Sequence, residues 1–449
     1  MPGGGDPAAQ SLAMERKEPP MTQTPIRVSC ARSGRHFVKQ DNTPFFWLAD
    51  TAWNAPLRAD AADWRRYLAA RQEQGFTAIQ FVSTPWRGCR NPLHGPLFSE
   101  TSDGVTFNEH AWEKMEEWMG LIVAHHMVPA PVMIWDNNPD EAFFKRRPET
   151  CISVGKRMLE RWRKFSPVWI LNGDGGYTSV AQDKKWKTIG REIFGSFPDE
   201  TVTCHPCGIS WVGDQFAAEP WYSFVGVQSG HGSSLIEHGF LQTGPYANRW
   251  RDIKKPFINL ELNYEFATSY QEPDLQFNAY HVRRAIWWSL LAAPPAGVTY
   301  GNNPIWIWAL TANEQAEGHG NLWCAANWES GLYTAGIANL RVILSILEDL
   351  PWTDMLPADQ LITRQLGWDT PSAFVKASAT SAYETVVAYA PLGGRISLNC
   401  AMLSSIRTAN WIDPRAGAMQ ACRLSTDGSG TVYQLEAPNK QDWLLVLKK

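Results

Sequence analysis

The chain has 449 residues, of which 44% are hydrophobic and 19% charged, with a formal net charge of −4. That balance describes an ordinary soluble globular protein long enough for two domains, or for one barrel and an appendage. Lys and Arg are scattered, which excludes a nucleic-acid groove or an anionic-membrane surface as the expected partner.

Met1 to Pro25 is polar, rich in Pro and Gly, and without an apolar stretch of signal-peptide length. It is expected to be a disordered tail, with Met14 or Met21 as alternative starts, on a cytoplasmic protein. No segment approaches the ~20 apolar residues of a membrane span. Residues 26–44 read as a small hairpin with turns at Ser33-Gly34 and Asp41-Asn42.

Strands and helices then alternate. Phe45 to Ala49 is an apolar run that ends at Asp50-Thr51-Ala52-Trp53, and residues 60–74 have helical periodicity closed by Gly75. Ala78 to Val82 is the second strand. A helix over 109–126 leads to the third, Val128 to Trp135, which ends at Asp136. A basic amphipathic helix over 150–165 precedes the fourth strand, Val168 to Gly173, which stops at Asp174.

A helix over 181–194 precedes Thr201 to His205 as strand five, and Phe224 to Gln228 is strand six, ending near His231. A helix over 234–249 precedes strand seven, Pro256 to Glu261, and a long helix over 275–293 follows. Val298 to Gly301 is strand eight, with a helix over 337–349 behind it. Strands apolar on both faces, alternating with helices, predict a parallel sheet; eight such units predict a (β/α)₈ TIM barrel over residues 26–352. No Gly-rich phosphate turn follows the first strand, which argues against an open dinucleotide-binding sheet.

From 353 to 449 short β-prone runs alternate with turns such as Gly393-Gly394 and Asp427-Gly428, as in a small antiparallel β-sandwich. Cys204-His205-Pro206-Cys207 has CxxC spacing but no second ligand pair, so neither zinc nor redox chemistry is expected there. Eight unevenly spaced Cys suit a reducing compartment.

Two runs stop at carboxylates that a barrel would bring to its catalytic mouth: Asp174 after strand four and Glu261 after strand seven. Facing carboxylates cleave glycosidic bonds. The 23 Trp fit this chemistry, because a sugar's C–H face packs on an aromatic ring; most of them still have to fill the core. Trp53, Trp86, Trp135 and Trp306 are the stacking candidates, and Asp136, Gln228 and His231 end strands at the same mouth.

Particular stretches carry a family resemblance. They are Phe45-Phe46-Trp47-Leu48-Ala49-Asp50-Thr51-Ala52-Trp53, Trp169-Ile170-Leu171-Asn172-Gly173-Asp174, His205-Pro206, and Ile258-Asn259-Leu260-Glu261 with Tyr264-Glu265. Tyr280-His281-Val282-Arg283-Arg284-Ala285, Thr299-Tyr300-Gly301, Trp411-Ile412-Asp413-Pro414-Arg415 and Asp442-Trp443-Leu444-Leu445-Val446-Leu447 complete them. From about residue 27 onward the chain resembles the apiosidase-like glycoside hydrolases, whose barrel is followed by a β domain with a collagen-binding label. The resemblance implies a glycosidase with Asp174 as general acid/base and Glu261 as nucleophile. By the same implication Asp50 would bind sugar hydroxyls, His205 would contact substrate or tune Asp174, and Tyr264 and Tyr300 would hold the nucleophile, with Glu265 orienting the site. Ala49 and Leu260 stand where the family usually has Gly, and Gly175-Gly176 where it commonly has Arg-Asn, which bears on the substrate more than on the chemistry.

The expected substrate is a glycoside or oligosaccharide ending in an apiose-like or related sugar, and no metal or other cofactor is implied. Two readings compete: a non-catalytic carbohydrate-binding barrel with a degenerate site, and a metal-dependent barrel hydrolase. The second lacks an HxH ligand pair after strand one.

Overall fold

The computed structural model describes residues 23–102, 104–135, 146–177, 179–319 and 324–449. Eight strands stand where the apolar runs predict them. They are β1 (Trp47–Thr51), β2 (Ala78–Val82), β3 (Val128–Trp135), β4 (Trp169–Gly173), β5 (Val202–Thr203), β6 (Val225–Gln228), β7 (Phe257–Glu261) and β8 (Gly297–Tyr300). All eight are buried along their whole length. The intervening helices are α1 (Ala61–Glu73), α2 (Glu109–Ala124), α3 (Pro148–Trp162), α4 (Val180–Phe194), α5 (Leu235–Gln242), α6 (Ala279–Ala292) and α7 (Ala335–Glu348). Polar caps start several of them: the side chains of Asp60, Asn108, Ser179 and Thr334 each accept from a backbone N–H of the first turn.

The parallel strands form two ladders where a TIM barrel would have one closed ladder. Six run in the order β5-β4-β3-β2-β1-β8, and β6 pairs with β7. Side chains cross the gaps. Thr203 Oγ1 donates to the Phe224 carbonyl at 2.8 Å and accepts from the Gly226 amide at 3.1 Å. On the other side, the buried Gln80 donates to the Leu260 carbonyl and accepts from Thr299 Oγ1, both at 3.0 Å. The result is a curled α/β barrel-type core. Three short strands, Val28–Cys30, Phe37–Lys39 and Pro44–Phe45, form an antiparallel sheet before it, where the sequence suggested a two-stranded hairpin.

Beyond the barrel lie a six-stranded and a three-stranded antiparallel sheet, between Met355 and Lys448. The strands Met355–Pro357, Ile362–Arg364 and Met419–Cys422 escaped the sequence reading. All three are short, and Met419–Cys422 is largely exposed, so they carry little apolar pattern. The stretch Trp328–Glu348 also corrects the membrane reading. By length and composition it could span a bilayer, and half of it is buried here against the core. Gly336 in α7 explains one close approach: a Cβ there would stand 2.3 Å from Glu265 Oε2.

The barrel and the β domain share a buried polar joint. Arg283 on α6 grips Asp442 with two bonds, Nε to Oδ2 at 2.6 Å and Nη2 to Oδ1 at 2.7 Å. Tyr389 adds a third bond to the same carboxylate, and Arg283 Nη1 donates to Asn339 on α7. Trp288 Nε1 donates to the Phe374 carbonyl. Removing one partner of a buried pair strands the other charge, at a cost of about 3–5 kcal/mol. Asp442→Ala is therefore expected to lower the thermal unfolding midpoint by many degrees. A midpoint within ~1 °C of wild type would show that the joint contributes nothing to stability.

Candidate active site

Each of the eight strand ends supplies a residue to one site. Trp53 follows β1, Trp86 and Arg87 follow β2, Trp135 ends β3, and Asp174 follows β4. His205 follows β5, Gln228 ends β6 with His231 just beyond, Glu261 ends β7 before Tyr264, and Asn303 and Trp306 follow β8. With Ala267, Tyr270 and His319 these residues, His205 excepted, line one cavity at the carboxyl ends of the strands.

Local backbone features aim both carboxylates. Asp174 has φ +45, a left-handed conformation that Asp tolerates better than most residues, and it turns the chain sharply at the end of β4. Gly173 before it is required by packing, since a Cβ there would lie 2.1 Å from the Trp135 ring. Glu261 depends on a β-bulge. The β6–β7 register pairs Val227 with Asn259 but Gln228 with Glu261, leaving Leu260 unmatched. Asn259 bonds Ser289 on the outer helix α6. Strict alternation would send Glu261 outward as well, and the extra residue turns it into the mouth beside Gln228.

The pair is held differently on its two sides. His231 Nε2 lies 2.8 Å from Glu261 Oε1, while its Nδ1 accepts from the Tyr264 amide at 3.3 Å, which makes Nε2 the donor. His205 sits wholly buried between the acids, with Nε2 3.2 Å from Glu261 Oε2 and Nδ1 3.7 Å from Asp174 Oδ1. Arg87 Nη2 is 3.2 Å from Asp174 Oδ2. The Tyr264 hydroxyl accepts from Trp53 Nε1 at 2.9 Å and lies beside Glu261.

These surroundings push the two carboxyls apart. Burial, then the charge of Glu261, raises Asp174 to about 6, although His205, Arg87 and His231 oppose the rise. Burial also acts upward on Glu261, but the hydrogen bonds and charges of His205 and His231 outweigh it and hold this carboxyl well below the usual range. One acid is thus poised to carry a proton near neutrality while its neighbour stays ionised, the division that acid/base and nucleophile roles require.

Aromatic rings wall the cavity. Trp86 and Trp135 have centroids 4.3 Å apart, Trp53 meets Trp135 edge-on at 5.6 Å, and Trp306 lies 6.4 Å from Tyr264. Trp135 Nε1 and Gln228 Oε1 are buried polar atoms of the wall with no hydrogen-bond partner among the described residues. Asp174, His205 and Glu261 could also be considered as metal ligands, because one donor atom of each lies within 4.8 Å of the others. His205, however, faces a different carboxylate with each ring nitrogen, so no single ring lone pair points toward both acids.

Trp53, Trp86, Trp135, Gln228, His231, Tyr264 and Trp306 line the cavity beside Asp174 and Glu261, with His205 beneath. Three other candidates lie elsewhere. Asp50 is fully buried with Oδ2 2.6 Å from both Tyr67 Oη and Arg71 Nε, because strand alternation turns it outward under α1. It anchors that helix and does not line the cavity. Glu265 accepts from the Tyr300 and Thr334 hydroxyls and from the Gly336 amide, so it caps the start of α7. Tyr300 holds Glu265 and not the nucleophile. Asp136 lies outside the described residues.

Sequence reasoning missed Arg87, Tyr270, Asn303 and His319. All four stand in the long connections after β2, β7 and β8, and long loops at the carboxyl ends of barrel strands were the available signal. His319 packs edge-on against Trp86 and Trp306, and burial, then Arg87, lowers it to about 4.

Comparison with known families decides the affiliation. The family described as "Apiosidase-like, catalytic domain" matches residues 31–354, well over half of the chain. The chain belongs to the apiosidase-like family. Residues 356–448 of this apiosidase-like protein match a second family, described as "Putative collagen-binding domain of a collagenase". No curated protein matches it. Among solved structures it is similar to one titled "Glycoside hydrolase", at 20% identity and a TM-score of 0.77, covering 94% of this chain and 97% of that one. It is also similar to a glycoside hydrolase family 5 protein from Bacteroides vulgatus, at 18% identity and TM-score 0.78, covering 94% and 93%. A cycloisomaltooligosaccharide glucanotransferase from Paenibacillus, complexed with cycloisomaltoheptaose, matches at 8% identity and TM-score 0.58, covering 90% and 85%. At these identities the likeness describes the fold of the apiosidase-like chain.

Proposed function

We propose that this apiosidase-like protein is a retaining glycosidase that removes a terminal sugar, apiose-like or related, from a plant- or microbe-derived oligosaccharide. The observation that carries the reading is the carboxylate pair: an oxygen of Asp174 and one of Glu261 lie within 4.8 Å. Retaining enzymes hold their carboxyl groups ~5–5.5 Å apart, and inverting ones ~6.5–9.5 Å to admit a water. Protonated Asp174 gives its proton to the leaving oxygen as Glu261 attacks the anomeric carbon. Water, deprotonated by Asp174, then releases the sugar from Glu261.

The cavity wall supports a sugar ligand. Rings of Trp53, Trp86, Trp135 and Trp306 offer apolar faces, and a sugar hydroxyl would satisfy Trp135 Nε1 or Gln228 Oε1. Each such buried group costs about 1–3 kcal/mol while unpaired. A degenerate binding barrel would have no use for the opposed shifts of Asp174 and Glu261.

The test is hydrolysis of a panel of 4-nitrophenyl glycosides, with the first-formed anomer read by proton NMR. An inverted product would reject retention, and no turnover across the panel would reject the hydrolase reading. The rate on unactivated substrates should fall as pH rises through about 6, where Asp174 loses the proton it must donate. Dialysis against EDTA should leave the rate unchanged; a loss restored by a divalent cation would favour a metal at Asp174, His205 and Glu261.

A further inference from the structure

Among the described residues, Tyr270 differs from the other tyrosine and tryptophan residues that line the cavity. Trp53, Trp86, Trp135, Tyr264 and Trp306 are each at most 3% exposed, whereas Tyr270 is 62% exposed. Tyr333 and Trp368 are also large exposed aromatics but do not line this cavity. The Tyr270 ring therefore stands at the rim, with its inner edge against His231, centroids 5.7 Å apart at 77°.

The rim is built, not loose. The Tyr270 amide donates to the His231 carbonyl at 3.2 Å. On one side Ser269 Oγ lies 2.7 Å from Ser233 Oγ; on the other, Gln271 accepts from the Ser233 amide at 2.9 Å and donates to Glu237 at 2.7 Å. These bonds clasp the loop after β7 to the loop after β6, so the ring is held out from a backbone fixed on both sides. An aromatic ring held open to solvent forfeits the burial that would otherwise stabilise it, which suits a surface awaiting an apolar face. The ring lines the same cavity as the acid and the nucleophile.

We infer that Tyr270 is the stacking platform for the sugar on the leaving side of the scissile bond, a second subsite outside the catalytic cavity. The inference rests on the glycosidase reading. The enclosed Trp-walled cavity takes the sugar that is cleaved, the bond lies between Asp174 and Glu261, and the next ring outward meets the one exposed tyrosine or tryptophan face that lines it among the described residues. The enzyme would thereby select glycosides with a cyclic, flat-faced aglycone, such as a further pyranose, over those with a small one. Tyr270 acts here as a specificity residue, with no part in the proton transfers.

The test compares Tyr270→Ala and Tyr270→Trp with wild type on two substrates of the sugar that the aryl panel identifies: the glycosyl fluoride, which has no ring to stack, and the 4-nitrophenyl glycoside. The preference for the aryl glycoside over the fluoride, as a ratio of kcat/KM values, should fall about tenfold in Tyr270→Ala, mostly through KM, and persist in Tyr270→Trp. An unchanged ratio would overturn the platform. Calorimetric titration with methyl glycosides and the corresponding disaccharides separates the two ideas. Tighter binding of disaccharides by wild type, lost in Tyr270→Ala, supports the platform even in a protein that hydrolyses nothing, where the glycosidase reading alone would fail. Equal affinity for mono- and disaccharide, or no binding of either, would overturn it.

Discussion

Glu261→Gln should reduce kcat by roughly 10⁴–10⁶-fold on every glycoside, the scale seen when an enzyme loses its nucleophile. The amide has nearly the volume of the carboxyl and keeps an oxygen to accept from His231 Nε2, now 2.8 Å away. The new NH₂ faces His205 Nε2, which can accept from it in the tautomer protonated at Nδ1, so the thermal midpoint should stay within a few degrees of wild type. What is lost is the negative charge, which His205 and His231 now hold ionised far below neutrality. Activity above a tenth of wild type in the folded variant would remove Glu261 from the nucleophile role.

Asp174→Asn should have an effect that depends on the leaving group. A poor leaving group, such as a sugar alcohol, must be protonated as it departs, and loss of the acid should cost about 10²–10⁴-fold. An activated 4-nitrophenolate departs with little protonation, so the bond-breaking step should be far less affected. The fall in rate through about pH 6, set by burial of Asp174 and the nearby Glu261 charge, should vanish for the activated substrate. Equal losses on both classes would make Asp174 a binding or structural residue. The search for the acid would then move to His205, because Glu265 is committed to the start of α7.

The rise of Asp174 and Glu261 to one mouth was legible in the chain because it follows from periodicity. Apolar runs buried on both faces marked β1 to β8, and a carboxylate placed after β4 or β7 must emerge at the end where those strands finish. Seven of the residues proposed for substrate contact line the cavity for the same reason. The errors came where position along a strand does not decide direction. Asp50 also stands near the end of a strand, yet the pleat turns it outward to Arg71, and no one-dimensional pattern distinguishes it from Glu261, which an unmatched Leu260 turns inward.

Sequence alone thus determined the element order, the two strand-end carboxylates at one mouth and the aromatic character of their surroundings, since these depend on residue type and local spacing. The family resemblance implied which acid carries the proton, but only the tertiary structure supplies a physical cause for the difference between them. Asp174 and Glu261 are 87 residues apart in sequence, and their opposed shifts come from burial and from Arg87, His205 and His231, on three other loops. Electrostatic environment depends on distance in space and on solvent exclusion, neither of which exists until the chain has closed around the site.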